Sequence, residues 1–295
     1  MQPAFPLEPA TLTAMGEDVE TAPRPSLSTD PVVEVRDLVA SYDDQCVLNG
    51  VDLTVQRGEV VIILGGSGSG KSTLLKCVLG IHRPDAGTVR VLGEDIWDLS
   101  DREREEIYKK IGIVYQGGAL FGSLTVSDNV ALPLREHTRL APNIISITAR
   151  MKLGLVGLGG FEHRLPNQLS GGQAKRVAFA RAIAMDPRIL FCDEPSAGLD
   201  PRVSRGIDDL ILDLNQAFNM AVVVVTHEME SVKVIADRIL MLVPHAGGAK
   251  VAFRGTYEDM VLSEEPEVRE FVERKAIQGP RAEAREILRQ LVGEE

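Results

Sequence analysis

The run Gly65-Gly66-Ser67-Gly68-Ser69-Gly70-Lys71-Ser72-Thr73 has the spacing of a loop that cradles phosphates: Gly, four residues, then Gly-Lys-Ser. Its glycines let successive backbone N–H groups turn inward, and a helix starting there adds partial positive charge. Lys71 is placed to neutralise β- and γ-phosphates, and the Ser72 hydroxyl to coordinate Mg2+. A second string, "ILFCDE" (189–194), ends an apolar run in two carboxylates. Strand alternation sends Asp193 and Glu194 to opposite sides, which frees them for different jobs. Asp193 then orients the Mg2+ shell and Glu194 polarises an attacking water as general base.

A third string, "NQLSGGQAKRVAFARAIA" (167–184), sets Ser-Gly-Gly ahead of a strongly helical run. That is a second anion-binding helix start, although Ser170 alone also reads as an ordinary helix cap. One nucleotide does not need two cradles in one chain.

The elements that must position these strings alternate. Apolar runs at 59–65, 111–116, 189–194 and 221–227 have the length and β-branched content of buried parallel strands. Helical patterns at 72–79, 203–218 and 229–236 follow three of them, as in a doubly wound sheet. Patterns at 32–42 and 47–55 predict an antiparallel pair ahead of that sheet. From 127 to 184 the pattern turns wholly helical, predicting a small inserted helical lobe. Two apolar runs joined by Gly247-Gly248 predict a hairpin, and the chain is helical and charged from Thr256. No repeat of about 20–50 residues stands out.

The chain has 295 residues, 44% hydrophobic and 25% charged, enough for a substantial core. A net charge of −11 argues against broad attraction to nucleic acid. Cys46, Cys77 and Cys192 are scattered without metal spacing. Cys77 and Cys192 are expected as buried small apolar residues, and the odd count suits a reducing compartment. No apolar run approaches the ~18–20 residues that span a bilayer, and the N-terminus does not read as a signal peptide. A soluble protein of the cell interior is expected.

Leu169-Ser170-Gly171-Gly172-Gln173, standing just before "ILFCDEPSAGLDP", resembles the signature of ABC ATPases, and the resemblance runs from about 32 to 275. It implies an α/β P-loop NTPase of ABC type: a mostly parallel sheet core, an antiparallel β subdomain, and a helical subdomain over about 127–184. It implies ATP and Mg2+ as cofactors, and hydrolysis of ATP to ADP and phosphate coupled to transport. By position, Tyr42 resembles the aromatic that stacks on adenine, and Gln116 the glutamine that meets Mg2+ and water while reporting to a membrane subunit. The loop Ser196, Ala197, Gly198, Leu199 and Asp200 resembles the segment across the dimer interface, and His227 the histidine at the γ-phosphate. Taken singly, Tyr42 also reads as a strand-end aromatic, Gln116 as a loop amide and His227 as a helix-start residue.

The resemblance also accounts for the double cradle. It implies a head-to-tail pair of identical chains, each ATP lying between one chain's phosphate loop and the other's signature. Having no membrane span, such a subunit partners integral membrane permease subunits on the cytoplasmic face of the inner membrane. Leu120 and Phe121 are expected as an exposed greasy groove for them, or else as core residues of the helical lobe.

"QGGALF", "NVALPLREH", "MKLGLVGL" and "EVREFVERK" are similar to the Mla/Mce-associated ATPases of phospholipid transport. That resemblance adds a lipid-binding Mce/MlaD-like protein and a small accessory subunit as partners, and no nucleic acid. Ser196-Ala197-Gly198-Leu199 and Gln173 depart from that subfamily, which tends to have Phe-Val-Gly-Gln and Met there. An ABC ATPase for another solute, such as an amino acid or ion, and more remotely a non-transport ABC ATPase, stay open. Residues 1–30 are expected as a disordered tail, and 276–295 as an extension that is either a helix, with Ala284, Ile287, Leu288 and Leu291 on one side, or a disordered tail.

Overall fold

The computed structural model describes residues 30–43 and 45–277, with side chains through residue 273. The expected tail, apart from Asp30, and the expected extension, apart from residues 276 and 277, lie outside the described residues.

Strands β1 (Pro31–Tyr42) and β2 (Gln45–Gln56) pair antiparallel, as their patterns require. Strand β3 (Val60–Gly65) leads through the glycine-rich loop into helix α1 (Lys71–Val78). Strands β4 (Ala86–Val91) and β5 (Glu94–Asp95) then join the first pair in a four-stranded sheet of order β2-β1-β4-β5. Helix α2 (Asp101–Tyr108) and strand β6 (Ile111–Val114) follow. Next come α3 (Val126–His137), α4 (Pro142–Leu155) and α5 (Gly171–Ala182). Strand β7 (Ile189–Asp193), α6 (Pro201–Phe218), β8 (Ala221–Thr226) and α7 (Met229–Ile235) complete the alternation. The hairpin β9 (Arg238–Val243) and β10 (Lys250–Gly255) precedes α8 (Tyr257–Val261) and α9 (Pro266–Ile277).

The main sheet has the order β10-β9-β3-β8-β7-β6, parallel except for β10. Because side chains alternate along a strand, this sheet feeds two cores. Val61, Ile63, Phe191, Val223 and Val225 face α1 and the antiparallel sheet. Val60, Ile62, Leu64, Leu190, Val222 and Val224 face α5, α6 and α7. Each fully buried side chain of this size contributes roughly 1.5–3 kcal/mol, which explains runs as apolar as "VVIIL" and "VVVV" in the two central strands. Cys77 lies in one core and Cys192 in the other. Burial pushes the Cys77 thiol up to about 11 and Cys192 in the same direction.

One expectation about the fold needs correction. The stretch 127–184 is not wholly helical: α4 ends at Leu155, where glycines 157, 159 and 160 interrupt the pattern, and a 3-10 turn at Pro166–Gln168 precedes α5. The sequence reading also missed β4, β5 and α2. A signal for α2 was present, since Ser100 and Glu103 form a reciprocal capping box at its start. β4 carries little signal, because only Val89 and Val91 are buried along it.

Candidate active site

The phosphate loop is built where β3 ends. A side chain at Gly65 would stand 2.5 Å from the Leu242 carbonyl of neighbouring β9, so only glycine fits that approach. Gly70 caps α1 in the left-handed region, at φ +83°. Gly66 and Gly68 have open space where a Cβ would be. Lys71 Nζ donates to the Gly65 and Gly66 carbonyls at 2.9 and 2.8 Å, curling the loop around its own ammonium. The first turn of α1 contains no acidic residue of its own. Ser67 and Ser72 are exposed, Thr73 is buried, and the buried Ser69 hydroxyl has no hydrogen-bond partner among the described residues.

The carboxylates do not diverge as strand alternation predicts. β7 ends at Asp193, and Glu194 adopts φ +47°, leaving the strand with its N–H on the Val225 carbonyl at 2.9 Å. The turn brings both carboxylates into one pocket with Lys71, Ser72, Gln116 and His227. His227, just past the end of β8, sets Nδ1 2.7 Å from Glu194 Oε1. The other oxygen, Oε2, is buried without a partner among the described residues. Burial, and then neighbouring Glu194, push Asp193 upward, with Lys71 opposing them.

Among the described residues no group of three His, Cys, Asp or Glu side chains could hold a metal by itself. Ser72, Gln116 and Asp193 instead offer one hydroxyl, one amide and one carboxylate on the rim of the same pocket. Such a donor set suits a hard cation that keeps water and phosphate oxygens among its ligands.

None of Leu169, Ser170, Gly171, Gly172 or Gln173 lines this pocket. Ser170 caps α5 in a capping box: its Oγ accepts from Gln173 N–H at 3.3 Å, and Gln173 Oε1 accepts from Ser170 N–H at 3.0 Å. Ser170 and Gly171 are exposed, while Leu169 packs against the core. Gly172 is buried, and a Cβ there would lie 2.5 Å from Val203 of α6. The signature is therefore a capped helix start, anchored by Leu169 and Gly172, whose Ser170 and Gly171 are exposed.

The loop Ser196 to Asp200 is partly committed within the chain. Ser196 is buried and donates to Glu228 Oε2 at 3.0 Å. Asp200 caps α6 through the Arg202 and Val203 N–H groups. Ala197 and Leu199 are half-buried and Gly198 is exposed. Tyr42 stands outside the phosphate pocket and stacks on His82 with ring centroids 4.3 Å apart.

The greasy-groove expectation divides. Phe121 is 52% exposed, but Leu120 packs against the core. Buried Asn129 fixes that loop, accepting from Phe121 N–H and donating to the Phe121, Leu124 and Thr125 carbonyls. The sequence reading passed over Asn129, as it did Phe271 of α9, which lines the phosphate pocket. It also passed over buried Lys175, which donates to the Gln116 and Glu194 carbonyls, and which burial holds below the ordinary lysine range. Nothing in a local pattern distinguishes these three from ordinary helix residues.

Comparison with known proteins places this geometry. The family described as ABC transporter matches residues 48–197. The chain is 39% identical over 261 residues to the probable ribonucleotide transport ATP-binding protein mkl of Mycobacterium tuberculosis, covering 88% of this chain and 71% of that one. It is 41% identical over 241 residues to the intermembrane phospholipid transport system ATP-binding protein MlaF of Haemophilus influenzae, covering 82% and 90%. Among solved structures, it resembles the dimeric post-hydrolysis state of the ATP-binding cassette MJ0796 bound to ADP and Pi. That match has a TM-score of 0.68 and 34% identity, over 76% of this chain and 98% of the other.

Proposed function

The chain belongs to the ABC transporter family as one of its ATP-binding, ATP-hydrolysing subunits, and on that premise we propose that it powers phospholipid movement across a cell envelope. The observation that carries the mechanism is the division of the anion-binding elements. Lys71, Ser72, Gln116, Asp193, Glu194 and His227 share one pocket, while Ser170, exposed at its helix start, is not among the residues lining it. A second copy would supply the missing half.

Each ATP then lies between Gly65–Thr73 of one copy and Leu169–Gln173 of the other, with charge-assisted hydrogen bonds on both sides. Ser170 is the exposed hydroxyl suited to the partner's γ-phosphate. Gly172 contributes its N–H and the close packing that aims the helix. Glu194 takes a proton from the attacking water, and His227 orients the Glu194 carboxylate. Ser72, Gln116 and Asp193 would hold Mg2+, which supplies charge neutralisation across the β- and γ-phosphates. Ala197, Gly198 and Leu199 would line the dimer seam. Tyr42, in its stack with His82, would meet the adenine. Loss of phosphate removes the contacts that close the pair, so the two copies separate.

Among the described residues no helix is long and apolar enough to cross a membrane. The pair would therefore work on permease subunits at the cytoplasmic face of the inner membrane, with Phe121 presented toward them. The match to a phospholipid-transport ATP-binding protein over 90% of that protein's length supports lipid as cargo, with a Mce/MlaD-like lipid-binding protein and a small accessory subunit in the complex. The test is to purify the tagged chain from its own membranes and identify the proteins and lipids that accompany it. A permease with a lipid-binding subunit and bound phospholipid is the expected result. A permease with a soluble solute receptor and no lipid would overturn the cargo assignment.

A further inference from the structure

Helix α5 begins at the signature and runs back under the chain's own catalytic loops. Lys175, just over one turn from Ser170, is 7% exposed. Its ammonium donates to the main-chain carbonyl of Gln116 and, at 3.4 Å, to that of Glu194. Both acceptors belong to residues whose side chains line the phosphate pocket. Farther along the same helix, Arg181 donates to the Gly118 and Ala119 carbonyls, each at 2.8 Å. The helix thus grips the loop 116–119 at both ends. The Glu194 peptide needs such support, because φ +47° is unfavourable for a residue with a side chain. Its N–H is held by the Val225 carbonyl, and its carbonyl by Ala197 N–H and Lys175.

We propose that Lys175 is a positioning residue that ties the half-site this chain offers its partner to the chain's own Gln116 and Glu194. This rests on the split-site reading above. A partner's phosphate seated on Ser170 fixes the start of α5, and Lys175 passes that placement to the water-activating carboxylate and the loop ahead of Phe121. Each copy's hydrolytic geometry then depends on what its signature end touches.

The experiment uses the full-length protein with ATP-Mg, comparing Lys175→Met, Lys175→Arg and Glu194→Gln. Lys175→Met is expected to keep its ATP affinity within about twofold and to lose more than about tenfold in kcat. Lys175→Arg, which keeps a cationic donor, is expected to recover most of that loss. In the Glu194→Gln background, ATP should slow amide exchange across 116–119, and adding Lys175→Met should abolish that slowing while leaving protection of 65–73 intact. A wild-type kcat in Lys175→Met, or equal losses of kcat and ATP affinity in both Lys175 variants, would overturn the proposal. If Lys175→Met does not fold, Lys175→Gln takes its place under the same criteria. Glu194→Gln separates the two readings. If it still hydrolyses ATP, the catalytic assignment beneath the proposal fails. If it is inactive while the Lys175 variants behave as wild type, the coupling alone fails.

Discussion

His227 Nδ1 lies 2.7 Å from Glu194 Oε1, joining two residues 33 positions apart in the chain at the ends of adjacent parallel strands. With Glu194 ionised, the ring N–H donates and fixes one carboxylate oxygen, leaving buried Oε2 without a partner among the described residues. On the proposed mechanism, Oε2 is the oxygen that takes the proton from water. Glu194→Gln should lower ATP hydrolysis by about 100-fold or more while preserving ATP binding. With ATP-Mg it should accumulate as a dimer on size-exclusion chromatography. A variant that stays monomeric in saturating ATP-Mg would count against the split site.

Gly172 is required for packing against Val203, where a Cβ would stand 2.5 Å from a valine methyl. Gly172→Ala should destabilise the fold by about 1–3 kcal/mol through overpacking. Val203→Ala in the same chain should restore most of that stability, because it opens the space the new methyl needs. Chemical denaturation of the two single variants and the double variant measures the coupling, and strictly additive effects would refute it.

Asp208 on α6 is 3% exposed, with one oxygen on the Ser231 hydroxyl at 3.0 Å and the other without a partner among the described residues. Burial pushes its carboxyl up to about 6, against the Ser231 bond; Glu228 and Asp209 add to the rise and Arg205 opposes it. The folded chain therefore keeps this proton longer than the unfolded chain, where aspartate titrates near ~3.9. Its contribution to stability is intact below about pH 4, falls as pH rises from about 4 to 6, and is constant above that. Asp208→Asn should gain on wild type across that window, by up to about 3 kcal/mol, less whatever an unpaired amide N–H costs. Melting curves of both proteins from pH 4 to 8 test this; a difference independent of pH would exclude it.

Asn129 makes four hydrogen bonds to the backbone of the 121–125 loop, which presents Phe121. Asn129→Ala should cost about 2 kcal/mol or more, since buried backbone groups lose their partners. Phe121→Ala, with its side chain half in solvent, should leave the Tm nearly unchanged. Both should weaken co-purification with the membrane subunits. Undiminished recovery with Phe121→Ala would remove this loop from the docking surface.

Much of this architecture was legible along the chain because its causes are local. The run 65–73 needs only the spacing of glycines, lysine and serine to declare a phosphate cradle, and "VVIIL" and "VVVV" could be little other than strands buried on both faces. The helical pattern at 203–218 announced α6, which starts two residues earlier, at Pro201 after the Asp200 cap. Where the local cause was weak, the reading failed. β4 buries two side chains, and the extended geometry assumed for Glu194 does not survive the turn out of β7.

What the sequence alone determined was therefore the inventory: a phosphate cradle, two carboxylates, a second helix start, a histidine, and an alternation of strands and helices. Strand order and the crossing of segments decided the rest. They set His227 against Glu194, turned both carboxylates into one pocket, kept Ser170 outside it, and sent the Lys175 ammonium to two carbonyls from distant loops. The physical reason is range. Periodicity, capping and turn preferences act over a few neighbouring residues, whereas the partner of a buried charge depends on which remote backbone the packed sheet carries past it.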